Sequence, residues 1–303
     1  MKKGDKMYDI IIVGAGPAGL TSAIYSRRAK KKTLVLEAKT YGGQIINTNE
    51  IENYPAEEKI SGIEFATKIY NQAKKLGAEI KFEKVININE NEVITTKQTY
   101  KTKTIILATG ADNRKIGLEN EENLTGKGIS YCATCDGAFY KDKIVAVIGG
   151  GNTAVEEAIY LSDLAKKVYL IHRRENLKAE EILLEQLNNK ENIETILNTN
   201  IIKINGEKKL ENIEIKTKET INTIKLDGLF IAIGHVPETE NFKKIINTNE
   251  KGYIIAKEDC KTNIPNIFVA GDNREKELRQ LVTATSDGAM AATQAIRYIN
   301  KIK

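Results

Sequence analysis

YDIIIVGAGPAGLTSAIYSRRAKKKTLVLE, residues 8 to 37, decides the fold. An apolar run ends in Gly14-Ala15-Gly16-Pro17-Ala18-Gly19, a stretch of helical period follows, and a second apolar run ends in Glu37. This order of strand, glycine turn, helix and strand sets a pyrophosphate at a helix N-terminus. The first glycine permits the tight turn, the second lets backbone approach phosphate, and the third lets helix and strand pack closely.

The same pattern returns in DKIVAVIGGGNTAVEEAIYLSDLAKKVYLIHRRE, residues 142 to 175, with Gly149-Gly150-Gly151-Asn152-Thr153-Ala154 at the turn. A lone fingerprint is often only a tight turn, whereas two in full context, 135 residues apart, organise a whole chain. The residues after each second strand separate the two ligands. Glu37 stands 23 residues after Gly14, a carboxylate placed to accept hydrogen bonds from a ribose diol, as in FAD or NAD. The same count from Gly149 reaches His172, followed by Arg173, Arg174 and Lys178. A carboxylate there would repel a 2′-phosphate, while guanidinium groups pair with it, so the second site reads as NADP. A solvated basic patch is the competing reading of HRRE.

The chain has 303 residues, enough for two domains that each bury a core without disulfide staples. Three cysteines do not make a secreted framework, and a reducing cytosolic compartment follows. The basic start MKKGDK is followed by an apolar run too short for a signal peptide, and no stretch suits a membrane helix. The net charge of +5 comes from 46 basic and 41 acidic residues interspersed along the chain, which argues against nucleic-acid binding. Three further apolar runs stop at small residues that let backbone approach a ligand: TKTIILATGAD at Thr109-Gly110, DGLFIAIGHVPET at Gly234, and NIFVAGD at Gly271-Asp272. They serve equally as ordinary core strands.

YCATCDGAFY, residues 131 to 140, carries Cys132 and Cys135 with Asp136 directly behind them. A zinc site wants three or four protein ligands. The only other cysteine is Cys260, and the only histidines, His172 and His235, lie within nucleotide motifs. A Cys-x-x-Cys at a turn that opens a helix brings two thiols close enough to bridge and lowers the pKa of one of them. Asp136 suits two roles, a general acid for a departing thiolate or a helix N-cap.

These motifs, together with GGQ (42 to 44), EIENYP (50 to 55), AIGH and GDNREKELRQLVTATSDGAMAA (271 to 292), resemble those of the low-molecular-weight bacterial thioredoxin reductases. CATCDG just ahead of the second fingerprint distinguishes that branch of the two-dinucleotide-binding flavoproteins from glutathione-reductase-like relatives. The resemblance implies an α/β fold of two Rossmann-like dinucleotide-binding domains, the NADPH domain (115–245) inserted into a split FAD domain (1–114 and 246–303). ADNRKIGLEN and HVPETENF would be the hinges of a rotating NADPH domain. It assigns FAD to Gly14 through Gly19, Glu37, Gln44, Asn53, Thr109, Gly110, Gly271, Asp272, Arg279 and Gln280. NADPH goes to Gly149, Gly151, Asn152, Thr153, Glu156, His172, Arg173, Arg174, Lys178 and Gly234. The family usually has arginine where this chain has Lys178, which keeps the charge and loses the planar fork.

By the same resemblance Cys135 takes electrons from the flavin, Cys132 attacks a thioredoxin disulfide, Asp136 supplies a proton, and the enzyme is a cytoplasmic homodimer. The reductase of alkyl hydroperoxide systems shares this core but carries an added N-terminal relay, where this chain has six residues before Met7. Ferredoxin-dependent relatives lose the second fingerprint and its arginines. A flavoprotein that only binds its cofactors has no use for CATCDG.

Overall fold

A computed structural model describes residues 7–48 and 50–302, so the basic start at residues 1 to 6 lies outside the described residues. The chain divides into two compact units, one running to Asp112 and resuming at Val236, the other Asn113–His235. The crossings fall within ADNRKIGLEN and HVPETENF, at the short strands Ala111–Asn113 and His235–Pro237, which pair as a ribbon. The first unit resumes at Val236, and Phe242 and Ile246 are buried in one of its cores.

The first unit is built on a parallel sheet. Its strands run Glu79–Phe82, Thr33–Glu37, Tyr8–Val13 and Thr99–Leu107 in order, and Ile267–Val269 pairs with the far half of the last. Thr99–Leu107 is long enough to serve three partners, because besides Tyr8–Val13 and Ile267–Val269 its first half pairs antiparallel with Glu92–Thr95. Strands buried on both faces read as continuous apolar runs, and alternate residues feed two cores. Ile10, Ile12, Val35, Ile106 and Phe268 face one core. Ile11, Val13, Leu34, Leu36, Ile105 and Leu107 face the other.

Three helices cover the first face: Pro17–Arg28, Gly62–Lys75 and Leu281–Lys301. Gly62–Lys75 carries its own stop and start signals. The Ser61 hydroxyl accepts from the Glu64 N–H, Glu64 lies in the first turn, Lys74 and Lys75 in the last, and Gly77 follows at φ +88°. Leu281–Lys301 lies against Pro17–Arg28 closely enough that a Cβ on Gly288 would stand 2.3 Å from the Ala18 carbonyl oxygen.

The second unit repeats the plan with a five-stranded parallel sheet, in the order Ile193–Ile196, Lys167–Ile171, Ile144–Ile148, Gly228–Ile231 and Ile129–Ser130. Helix Asn152–Ser162 packs on it through Ala154, Val155, Ala158 and Leu161. An antiparallel meander, Thr199–Asn205, Asn212–Thr217 and Thr220–Lys225, contributes Ile201, Ile204, Ile213 and Ile215 to a second core. Among the described residues no helix is long and apolar enough to cross a membrane.

Candidate functional site

In the first unit Val13 is in register with Leu36 and Leu107, and Leu107 with Val269. The segments that follow these strands, Gly14–Gly19, Glu37, Ala108–Gly110 and Ala270–Asp272, therefore leave the sheet at one carboxyl edge. That edge is where open α/β sheets bind ligands.

The three glycines of the turn are held by different contacts. A Cβ on Gly14, at φ +108°, would stand 2.2 Å from the Ala108 carbonyl oxygen, and one on Gly19 would stand 1.9 Å from that of Gly14. Above Gly16 the space is open, with nothing nearer than 3.9 Å. Helix Pro17–Arg28 starts there without a side-chain cap. A close-packed first and third glycine around an open second one is the cradle a pyrophosphate requires.

Glu37 closes one side of the cradle. Its Oε2 accepts from the Ala15 N–H at 2.8 Å and its Oε1 from the Lys39 N–H at 2.9 Å. A carboxylate offers about four lone-pair directions, so capacity for a diol is left. Asn53 Nδ2 donates to Gln280 Oε1 at 3.2 Å, bringing those two sequence candidates together. Gln44 instead donates to Asp112 at 2.5 Å. Thr109 donates to the Glu238 carbonyl, and Gly110, at φ +73°, faces open space. Arg279 donates to the Asp272 carbonyl at 3.3 Å and lies 4.1 Å over the Tyr253 ring. Asp272 itself presents a buried Oδ1 that makes no hydrogen bond, and burial pushes its carboxyl above the ordinary value. A donor-rich ligand at this edge would satisfy it.

Sequence reasoning missed what holds this loop. Asp287, buried on helix Leu281–Lys301, accepts from the Gly271 N–H at 3.0 Å, from Arg274 at 3.0 and 3.2 Å, and from Lys276 at 2.9 Å. A signal was present: Ala284, Asp287, Ala291 and Ala295 share the buried helical spacing, and an acid on that face needs a cationic partner.

In the second unit Ile148 is in register with Ile171 and Ile231, and Phe230 with Ser130. The second glycine turn, the His172 segment, Gly234 and the cysteine turn thus leave one sheet edge together. A Cβ on Gly149 would stand 2.4 Å from the Ala232 carbonyl oxygen, while Gly151 and Gly234 face open space. Helix Asn152–Ser162 starts without a side-chain cap, and Thr153 and Glu156 are exposed on it. The Asn152 amide is tied to Glu180, donating to its carboxylate at 2.8 Å and accepting from its N–H at 3.0 Å. The His172 ring lies against Gly150, its Nε2 buried without a hydrogen-bond partner and its pKa lowered by burial. The Lys178 N–H donates to the Gly150 carbonyl at 2.5 Å, which brings Lys178 beside the turn, and Arg173 and Arg174 stand exposed next to it. Open backbone, an uncapped helix start and clustered cations fit a phosphorylated dinucleotide.

Cys132 and Cys135 form a disulfide, with S–S 2.14 Å and Cα–Cα 5.3 Å. Cys132 precedes the short helix Ala133–Asp136, so Asp136 ends this helix rather than opening it and makes no capping bond to the turn that follows. Its carboxylate accepts instead from Ser130 Oγ at 2.6 Å, and the same Oγ accepts from the Cys132 N–H at 3.1 Å. Burial raises the Asp136 pKa and the Ser130 bond partly offsets this, which favours a group able to hold a proton. Cys260 is buried in the other unit, and burial pushes its thiol up to about 12. Among the described residues no group of three or more His, Cys, Asp or Glu is arranged to hold a metal ion.

Residues 8–288 match the pyridine nucleotide-disulphide oxidoreductase family. The chain is 44% identical over 310 residues to a thioredoxin reductase of Listeria innocua, covering 100% of this chain and 97% of the relative. It is 42% identical over 306 residues to a thioredoxin reductase of Bacillus subtilis, covering 99% and 97%. Among solved structures, thioredoxin reductase from Streptococcus pyogenes superposes with a TM-score of 0.93 at 39% identity, covering 98% of this chain and 100% of that one.

Proposed function

Because the chain belongs to the pyridine nucleotide-disulphide oxidoreductase family, we propose that it works as an NADPH-dependent, FAD-containing thioredoxin-disulfide reductase. The observation that carries this reading is the Cys132–Cys135 disulfide, with Asp136 behind it, leaving the same sheet edge as the second glycine turn. The unit made of residues up to 112 and from 236 is the FAD domain, and 113–235 is the NADPH domain. Gly16, Glu37, Gly110, Asp272 and the Asn53–Gln280 pair hold FAD; Gly151, Thr153, His172, Arg173, Arg174 and Lys178 hold NADPH.

When bound, FAD supplies the two-electron exchange that links NADPH to the disulfide. Two electrons and one proton open the Cys132–Cys135 bond to one thiolate and one thiol. The Cys132 thiolate attacks the thioredoxin disulfide, forming a mixed disulfide and displacing a thioredoxin thiolate. Asp136, held by Ser130, donates the proton that the departing thiolate takes up. Cys135 passes its proton back to Asp136 and attacks Cys132, restoring the bond and releasing the second thioredoxin thiolate, which takes a proton from solvent. We read the enzyme as a cytosolic homodimer, the compartment from its sparse cysteines and the assembly from its family.

The test is NADPH oxidation by the FAD-loaded protein with thioredoxin, beside a Cys132→Ser variant. Turnover by the wild type alone supports the reading. If the wild type leaves NADPH unoxidised with FAD bound, the reading fails.

A further inference from the structure

Glu157 lies on helix Asn152–Ser162, which packs against the short cysteine helix. Its Oε1 accepts from the Ala133 N–H at 3.3 Å, the peptide group joining Cys132 to the helix. Its Oε2 is buried and makes no hydrogen bond. The proposed cycle gives this carboxyl no task, and a buried acceptor without a partner is costly unless its group serves another purpose.

We infer that Glu157 is a positioning residue for the redox disulfide: from behind Ala133 its carboxyl sets how strongly the reduced pair holds its thiolate. This rests on Cys132–Cys135 being the redox pair. Opening the bond takes two electrons and one proton and leaves one thiol and one thiolate; a second proton then neutralises the thiolate. Ionised, Glu157 opposes that thiolate as a like charge and occupies the N–H beside Cys132. Protonated, it does neither as strongly.

Burial raises the Glu157 pKa to about 7, the Ala133 bond partly opposing and the neighbouring Glu156 adding to the rise. It therefore changes charge near neutral pH. The ionisable groups on the elements packed against its helix are few. Cys132, Cys135 and Asp136 lie on the cysteine turn; Lys167 and Tyr169 lie on strand Lys167–Ile171; Glu181 and Glu185 lie on helix Glu181–Asn188; and Glu194 lies on strand Ile193–Ile196. Glu181, Glu185 and Glu194 are exposed, and Lys167 pairs with Glu194 at 2.6 Å. Asp136, half-buried, is the one other acid among these groups that is not exposed.

The test equilibrates FAD-loaded wild type, Glu157→Gln and Glu157→Ala in dithiothreitol redox buffers from about pH 6 to 8.5, spanning the pKa shifted by burial. Alkylation with peptide mass analysis reports Cys132 and Cys135 apart from Cys260. The isosteric Gln keeps an acceptor for Ala133 and removes only the charge. At the alkaline end Glu157→Gln is expected to favour the dithiol about tenfold over wild type, roughly 30 mV for a two-electron couple. At the acid end the two converge to within about twofold, since both are neutral there. The Ala variant is expected to follow Gln at the alkaline end. Superimposed curves for all three proteins, or a Gln offset independent of pH, overturn the inference. If the wild type turns over normally with thioredoxin while the curves superimpose, the Glu157 inference alone falls. If the wild type does not turn over, the enzyme reading falls with it.

Discussion

Replacing Asp287 by Ala should unfold the first unit, the proposed FAD domain, at markedly lower temperature. The side chains of Asp287, Arg274 and Lys276 are only 7%, 4% and 6% exposed, so the substitution leaves two buried cations facing a space their counter-ion filled. Breaking a buried pair by removing one partner costs about 3–5 kcal/mol. Arg274 retains Glu258 at 3.3 Å, but that glutamate is 92% exposed and screened, so little is recovered. For a unit of this size about 3–5 kcal/mol corresponds to a Tm drop of roughly 6–15 °C. Scanning calorimetry is the assay, since a two-unit chain need not melt in one step. Burial would raise the Asp287 pKa, but the bonds and charges of Arg274 and Lys276 outweigh it and hold the carboxyl below 3.8. A depressed folded pKa gives stability that is complete above the unfolded value and is lost as pH falls through the folded one. The wild-type advantage should therefore be full near neutral pH and shrink below about pH 4. A variant melting within about 1 °C of wild type near neutral pH, where the pair is fully ionised, would refute the reasoning. An advantage that grows as pH falls below about 4 would do so too.

Two further outcomes are expected. Exchanging Arg173 and Arg174 for Ala removes the guanidinium groups beside the second glycine turn; charged hydrogen bonds of about 1.5–3 kcal/mol make this roughly a 10- to 100-fold loss in kcat/KM for NADPH. NADH kinetics should barely move, and equal losses for both coenzymes would place the 2′-phosphate elsewhere. Gly14→Ala puts a Cβ 2.2 Å from the Ala108 carbonyl oxygen at φ +108°, with about 1–3 kcal/mol of backbone strain before the clash is counted. The purified variant should lack flavin absorbance, and a full flavin complement would show that the turn tolerates a side chain.

The legible parts of the fold were those encoded by short spacing. Strand, glycine turn, helix and strand fit within about thirty residues in a βαβ unit, and the contacts at Gly14, Gly19 and Gly149 are what that pattern demands. The Cys-x-x-Cys pair was equally local, and the structure closes it as a disulfide. The illegible parts depend on burial, which no local pattern states. Asp287 reaches the Gly271 loop from 16 residues away, and Glu157 reaches the cysteine turn from 24. The alternative N-cap role for Asp136 was a propensity argument, and it gave way because Cys132 takes the position before the helix while Ser130 engages the acid.

That last point bears on how the cysteine turn keeps its shape. It follows a strand of only two residues, Ile129–Ser130, and enters a helix of four, neither long enough to be rigid alone. The Cys-x-x-Cys spacing permits a disulfide but leaves the thiols' surroundings undefined once that bond opens. Ser130 then holds the Cys132 N–H and Asp136 from the sheet side, and Glu157 holds the Ala133 N–H from the glycine-turn helix. Ser130 belongs to the sheet and Glu157 to helix Asn152–Ser162, so in the proposed reading the elements that would hold NADPH also position the reduced pair. Disturbing either residue should alter the chemistry of the open dithiol more than the stability of the closed disulfide, because the covalent bond holds the turn only while it is intact.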